Sequence, residues 1–327
     1  MILTMPSNAA VPRGSGASGN SGISGKSGDS GVAGSRREFR FGVTMIASCG
    51  AAEWRAKCRR AEELGFDVIL TADHLGCPAP LPSLVAAAEA TRRPGVGTFV
   101  LNAGFWNPAL LTREVATTDL LTGGRLELGL GAGYARDEFE RAGIPWQAAG
   151  SRIDQLERAV DETTRLLADE NHEPRPEQRP RPPLMLGGNG NRVLRLAAER
   201  ADIITFAGMA PDESSRTGAL RPLQAAAFDE RVEFVRAASG GSDAERNLVV
   251  QHVGVTEDRR GEARKWRERA GLDWSTDAVL ELPILLLGTP GEIAEQLRER
   301  RSRWGISYIG VLEPSMEALG QAIPLVR

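Results

Sequence analysis

A chain of 327 residues, 41% hydrophobic and 25% charged, is ordinary for a globular protein and long enough for one α/β barrel or two smaller domains. A net charge of -3 and a pI near 5.8 exclude the electrostatic footprint of a nucleic-acid binder, and no apolar run is long enough to cross a bilayer. Cys49, Cys58 and Cys77 cannot all pair and form no C-x-x-C, and no basic region followed by an apolar block opens the chain. The expectation is a reduced, cytoplasmic protein without a membrane partner.

Residues 1–36 are rich in Gly and Ser, with too little apolar surface to offset the entropy of ordering, and read as a flexible leader to a folded domain over 37–327. Phe41 to Ile46 is the first strand, and a helix follows from Ala52 to Leu64. Phe66 to Leu70 is the second strand, with Asp73 and His74 leaving its end. Leu81 to Thr91 supplies the next helix.

The stretch from Gly97 to Glu138 organises the rest. Phe99, Val100 and Leu101 read as a buried strand breaking at Asn102. Asn107 is an N-cap with Pro108 at the first helical position, and Leu110, Leu111, Val115 and Leu121 fall on one arc about 140° wide, a core-facing stripe. Gly123-Gly124 closes that helix. Leu126, Leu128 and Leu130 then alternate in a strand that turns out at Gly131-Ala132-Gly133-Tyr134.

Arg136 to Gly150 reads as an irregular excursion, and Ser151 as the opening of an amphipathic helix with Asp154 as a capping partner. Prolines make Glu173 to Pro183 an extended connection. Leu184 to Leu186 is a strand followed by Gly187-Gly188-Asn189-Gly190 and a helix to Arg200, and Asp202 to Phe206 is the next strand. Ala207 to Leu223 reads as a polar lid or insert. A helix from Ala225 to Ala238 leads to a strand over Asn247 to Val255. Helices follow at Asp258 to Gly271 and Thr276 to Leu282, with a short apolar run at Ile284 to Leu287. A helix opened by Thr289 and a last strand at Ile306 to Leu312 complete the chain. About eight strands separated by helices predict a (β/α)₈ TIM barrel. An open doubly wound sheet would want G-x-G-x-x-G after the first strand, and Phe41 to Cys49 has none.

Asp73-His74 at a strand's carboxyl end is a candidate acid/base pair, against the plainer reading that both bond loop backbone. His172 reads as solvated and His252 as a strand residue, and scattered histidines predict no metal site. The glycines at 131–133 and 187–190 are each tight turns by themselves. Together at one rim they favour a phosphorylated ligand. Tyr134, Trp106 and Phe105 can wall a planar ring, and Glu127, if inward, needs an arginine. No serine elbow or partnered cysteine supports nucleophilic catalysis.

The order FGV, TADH, GTFVLN, NPALLTREVATTDLLTGGRLELGLGAGY, PLMLGGNGNRVLRLAAERADI and LLLGTPGEIAEQLRE resembles the bacterial-luciferase-like superfamily over 39–311, nearest to its coenzyme F420 branch. The resemblance implies a TIM barrel holding a deazaflavin ring, or the isoalloxazine of FMN, at the strands' carboxyl ends. It implies a non-prolyl cis peptide at Phe99–Val100, with Phe99, Val100 and Leu101 backing the ring. Gly131, Ala132, Gly133, Tyr134, Gly187, Gly188, Asn189 and Gly190 would hold the cofactor. His74 would donate a proton, Asp73 would orient it, and Asn102 would hydrogen-bond ring or substrate. Sugar-phosphate dehydrogenases of this branch carry a glutamate where this chain has Tyr134, a departure that argues for a reductase. The implied reaction is hydride transfer from reduced F420 to an electron-poor C=C, C=N or C=O of a small molecule or peptide, dehydroamino acids included. An F420 or flavin reductase would supply the reduced cofactor, and a homodimer is common in the family. An FMN-dependent monooxygenase, a non-catalytic cofactor-binding barrel and a barrel hydrolase are the alternatives; the glycine turns disfavour the last.

Overall fold

The computed structural model describes residues 37–211 and 219–327. The expected leader and the centre of the Ala207–Leu223 stretch lie outside the described residues.

The strands are β1 (Arg40–Met45), β2 (Val68–Thr71), β3 (Gly95–Thr98), β4 (Leu126–Gly131), β5 (Leu184–Gly187), β6 (Ile203–Phe206), β7 (Glu245–Val250) and β8 (Tyr308–Leu312). Leu101–Asn102 continues β3 and rejoins β4, so a sheet of nine formal strands is a ring of eight staves. Every stave runs parallel to its neighbours, and pairing of β3 with β4 and of β8 with β1 closes the barrel. Alternation sorts the side chains. Phe41, Val43 and Met45 join the large apolar layer under the helices. Val68, Leu70, Met185, Ile203 and Tyr308 fill the interior, and Phe99 and Val100 rest on that plug from above. Among the described residues no helix is long and apolar enough to cross a membrane.

The TIM barrel stands as expected, and several local expectations do not. The ladder of the third stave is Gly95–Thr98; the Phe99–Val100 peptide is cis and interrupts it, as the resemblance implied. Asn107 does cap the next helix, accepting from the N–H groups of Ala109 and Leu110 at 3.0 and 3.3 Å. Its buried face is Leu111, Thr112, Val115, Ala116, Thr118 and Asp119, however, while Leu110 and Leu121 are 52% and 58% exposed. Both lie at one edge of that arc, and the buried face extends past its other edge over Thr112, Ala116 and Asp119. The expected strand Asn247–Val255 breaks at Gln251, whose N–H turns to the carbonyl of Ile284. His252–Val255 then pairs with Leu285–Gly288 outside the barrel, so the apolar run there is a partner strand and no stave. The excursion after Tyr134 contains a helix, Arg136–Arg141, and the following helix starts at Ala149 with Ser151 already inside it. The flanks of the expected lid, Met209–Pro211 and Leu220–Pro222, pair as an antiparallel ribbon.

Candidate active site

At the carboxyl end of β2 the chain delivers Asp73 and His74 to the rim, but the two do different work. Asp73 Oδ2 accepts the backbone N–H of Asn102 at 3.0 Å and the indole N–H of Trp106 at 3.2 Å. Burial pushes its carboxyl up, against the pull of these two donors. Asp73 therefore braces the turn after β3 and does not orient His74. Asn102 belongs to the same brace: its Oδ1 accepts the Gly104 N–H at 3.0 Å and caps the short turn Ala103–Phe105.

His74 takes its orientation from Glu138. The carboxylate oxygens lie 3.0 and 3.1 Å from Nδ1, with side-chain exposures of 20% for His74 and 13% for Glu138. A carboxylate only accepts, so the Nδ1 proton points at Glu138 and Nε2 faces away. Nε2 meets the Tyr134 hydroxyl at 3.2 Å, the two rings edge-to-face with centroids 5.6 Å apart. Burial first, then the charge of Glu138 and Cys77, pushes the Tyr134 phenol up to about 12. It stays protonated at neutral pH.

Glu138 reaches His74 because its neighbour is anchored. Phe139 is 2% exposed and packs between Phe105 and Trp146, each ring centroid 5.1 Å away. With that ring fixed, the single helical turn around it turns Glu138 toward the rim. Sequence reasoning missed Glu138. No helical spacing signalled it: Tyr134 precedes the extended cap residue Ala135, outside the helix Arg136–Arg141 that carries Glu138.

The expected cofactor residues divide. Phe99 and Val100 are half-buried above the interior plug, whereas Leu101 is fully buried in the outer layer. Gly131 and Gly133 are required by the protein's own packing. A Cβ at Gly131 would lie 2.7 Å from the Val100 side chain, and one at Gly133, whose φ is +71°, 2.4 Å from Asn102 Oδ1. Ala132 is half-buried between them. Gly187 likewise admits Thr205. Gly188 and Asn189 are half-buried and Gly190 is exposed, with nothing within 4 Å of its would-be Cβ. Gly190 opens the helix Asn191–Arg200, which has no side-chain cap and no acid in its first turn, so its N–H groups are left for an anion.

Glu127 does point inward and does find an arginine. Arg40 bridges Glu127 and Glu245 at the opposite end of the barrel, with Tyr308 donating to Glu127 at 3.4 Å. His252 lies outside the barrel, 3.4 Å from Glu262, and burial lowers its basicity. His172 is half-buried, its Nε2 without a hydrogen-bond partner among the described residues, and so is not simply solvated.

A closed parallel barrel, a cis peptide on the third stave and an imidazole at its rim are the setting in which comparison with known proteins becomes informative. Residues 38–308 match the family model described as luciferase-like monooxygenase, and the chain belongs to that family of oxidoreductases. It is similar to the F420-dependent glucose-6-phosphate dehydrogenase of Nakamurella multipartita, 31% identical over 82% of this chain and 83% of the relative. The corresponding enzyme of Kribbella flavida is 38% identical over 111 residues, and there the chain spans 33% of the relative's length. Among solved structures, the monooxygenase RslO1 from Streptomyces bottropensis superposes with a TM-score of 0.66 at 21% identity, covering 88% of this chain and all of that one.

Proposed function

We propose that this chain is an F420-dependent reductase acting on an electron-poor C=C, C=N or C=O of a small molecule or peptide. The observation that carries the reading is the His74–Glu138 pair, a proton donor held ready at the rim beside the half-buried Phe99 and Val100. Likeness to F420-dependent dehydrogenases over most of the chain supports the choice of cofactor. The rim fits a deazaflavin: Phe99 and Val100 offer an apolar bed, and open Gly190 with its uncapped helix offers donors for an anionic tail. When bound, the cofactor supplies hydride, which the protein itself cannot do.

The side chains supply the rest. Glu138 holds the Nδ1 proton of His74 and so fixes how its ring faces the place where negative charge develops on the substrate. Asp73 keeps the Asn102–Trp106 turn in place, and that turn holds Asn102 against Gly133. The free thiols of Cys49, Cys58 and Cys77 fit a cytoplasmic setting, where an F420 reductase would regenerate the cofactor. The homodimer belongs to the same proposal: Leu110, Leu120 and Leu121, exposed along one helix, are the surface it would cover.

Titration of the purified protein with F420 and with FMN, oxidised and reduced, by fluorescence tests the cofactor. Tight F420 binding with weak FMN binding is expected. The reverse preference would favour the second reading, an FMN-dependent monooxygenase, a class in keeping with the family's description as luciferase-like monooxygenase. Binding of neither overturns both.

A further inference from the structure

Both ring nitrogens of His74 are engaged within the protein. Nδ1 faces Glu138 at 3.0 Å and Nε2 faces Tyr134 Oη at 3.2 Å, so the imidazole has no nitrogen left to offer a substrate. The free end of this chain of groups is the phenol oxygen. Tyr134 stands on the turn after β4 and His74 on the end of β2, while β3 lies between those staves. Their hydrogen bond therefore spans the carboxyl end of β3, where Phe99 and Val100 sit. We propose that Tyr134, and not His74, hands the proton to the substrate, with His74 as its supply and Glu138 as the group that positions His74. This deepens the reductase reading and rests on it.

The proton balance is explicit. Reduction, with the reduced deazaflavin as electron source, leaves an electron pair on the substrate's acceptor atom. The Tyr134 O–H bond breaks and its proton moves to that pair. Tyr134 Oη takes the Nε2 proton of the imidazolium, whose bonding electrons return to the ring, while the Nδ1 proton stays toward Glu138. Solvent then restores the proton on Nε2. Tyr134 ends the step as it began, a neutral phenol, which agrees with a site that resists forming the phenolate.

The test uses the full chain with reduced F420 and three acceptor probes: 2-cyclohexen-1-one, cyclohexanone and 2-methyl-1-pyrroline. Tyr134→Phe is expected to lower turnover of whichever probe is reduced by about 10²-fold, a far larger change than any in F420 affinity. Tyr134→Ala is expected to regain activity with added phenol and not with toluene, which fills the same space without a proton to give. Full turnover by Tyr134→Phe, or equal rescue by toluene, overturns the assignment and leaves the reductase reading standing. Reduction of none of the probes by the unaltered protein overturns that reading and the assignment with it.

A second readout needs no substrate. With three histidines in the chain, ¹⁵N spectra can resolve His74. In the neutral ring the proton should sit on Nδ1, and Tyr134→Phe should move chiefly the Nε2 resonance. A proton on Nε2 of the neutral ring overturns the relay.

Discussion

The two ends of the barrel use similar chemistry to opposite ends. At the floor, Arg40 lies between Glu127 and Glu245 with the Tyr308 ring 4.6 Å below its guanidinium. At the rim, His74 lies between Glu138 and Tyr134. Each is a nitrogen base held by carboxylate and phenol. The floor uses a group that never loses its proton, and the carboxylates there are 10% and 6% exposed, so the arrangement is fixed. The rim uses an imidazole, which can both give and take a proton, and leaves it partly open. Residue type and access, more than the number of polar groups, separate a structural cluster from a working one.

The comparison breaks most visibly at Arg40. Arg40→Met leaves Glu127 and Glu245 without a cation, and chemical denaturation should show a loss of about 3 kcal/mol, the lower end for a broken buried pair because Arg40 keeps a third of its side chain in solvent. An unchanged midpoint would mean that the floor is not held by charge. Glu138→Gln should do the reverse. Its folding stability should move by less than about 1 kcal/mol, while turnover falls about 10²-fold as the imidazole loses its anchor. Loss of stability without loss of turnover would make Glu138 a structural residue.

A smaller effect sharpens the floor. Burial pushes the Glu127 carboxyl up despite Arg40. A carboxyl with a raised folded value holds its proton more tightly when folded. Its contribution is full below the unfolded value, 4.5 for the isolated group, and is lost as pH rises through the folded value. Glu127→Gln mimics the protonated acid and should flatten the decline in stability as pH rises above the unfolded value. An equally steep decline in the variant would assign the pH dependence elsewhere.

Most of the barrel was legible because most buried staves are apolar runs of strand length between turn signals; β3, Gly95–Thr98, is not one. Its failures are physical ones. Asn247–Val255 has apolar residues on both sides of Gln251-His252, and that polar pair marks where the chain leaves β8 and turns to Leu285–Gly288. Leu110 and Leu121 satisfy helical spacing and still face solvent, because Thr112, Ala116 and Asp119 occupy the packed side. The rim was legible in His74 and in the cis peptide at Phe99–Val100, which the resemblance placed. It was not legible in Glu138, which sits on a helix of six residues, too short for a period to show. Adjacency in sequence suggested Asp73 for that work. Successive residues leaving a strand point to opposite sides, so adjacency was the wrong guide.

Asp73→Asn tests that last point with the smallest expected effect. The asparagine keeps an oxygen where Oδ2 accepts the Asn102 and Trp106 N–H groups, and loses only the charge that strengthens those bonds. Stability should fall by about 1 kcal/mol or less. Turnover should stay within a few-fold of the unaltered protein, because the Glu138–His74–Tyr134 contacts do not pass through Asp73. Measured beside Glu138→Gln on the same probe, the pair weighs two carboxylates at one rim. If Asp73→Asn proves the more damaging to turnover, the orientation of His74 depends on the turn that Asp73 braces, and the direct bond to Glu138 is secondary.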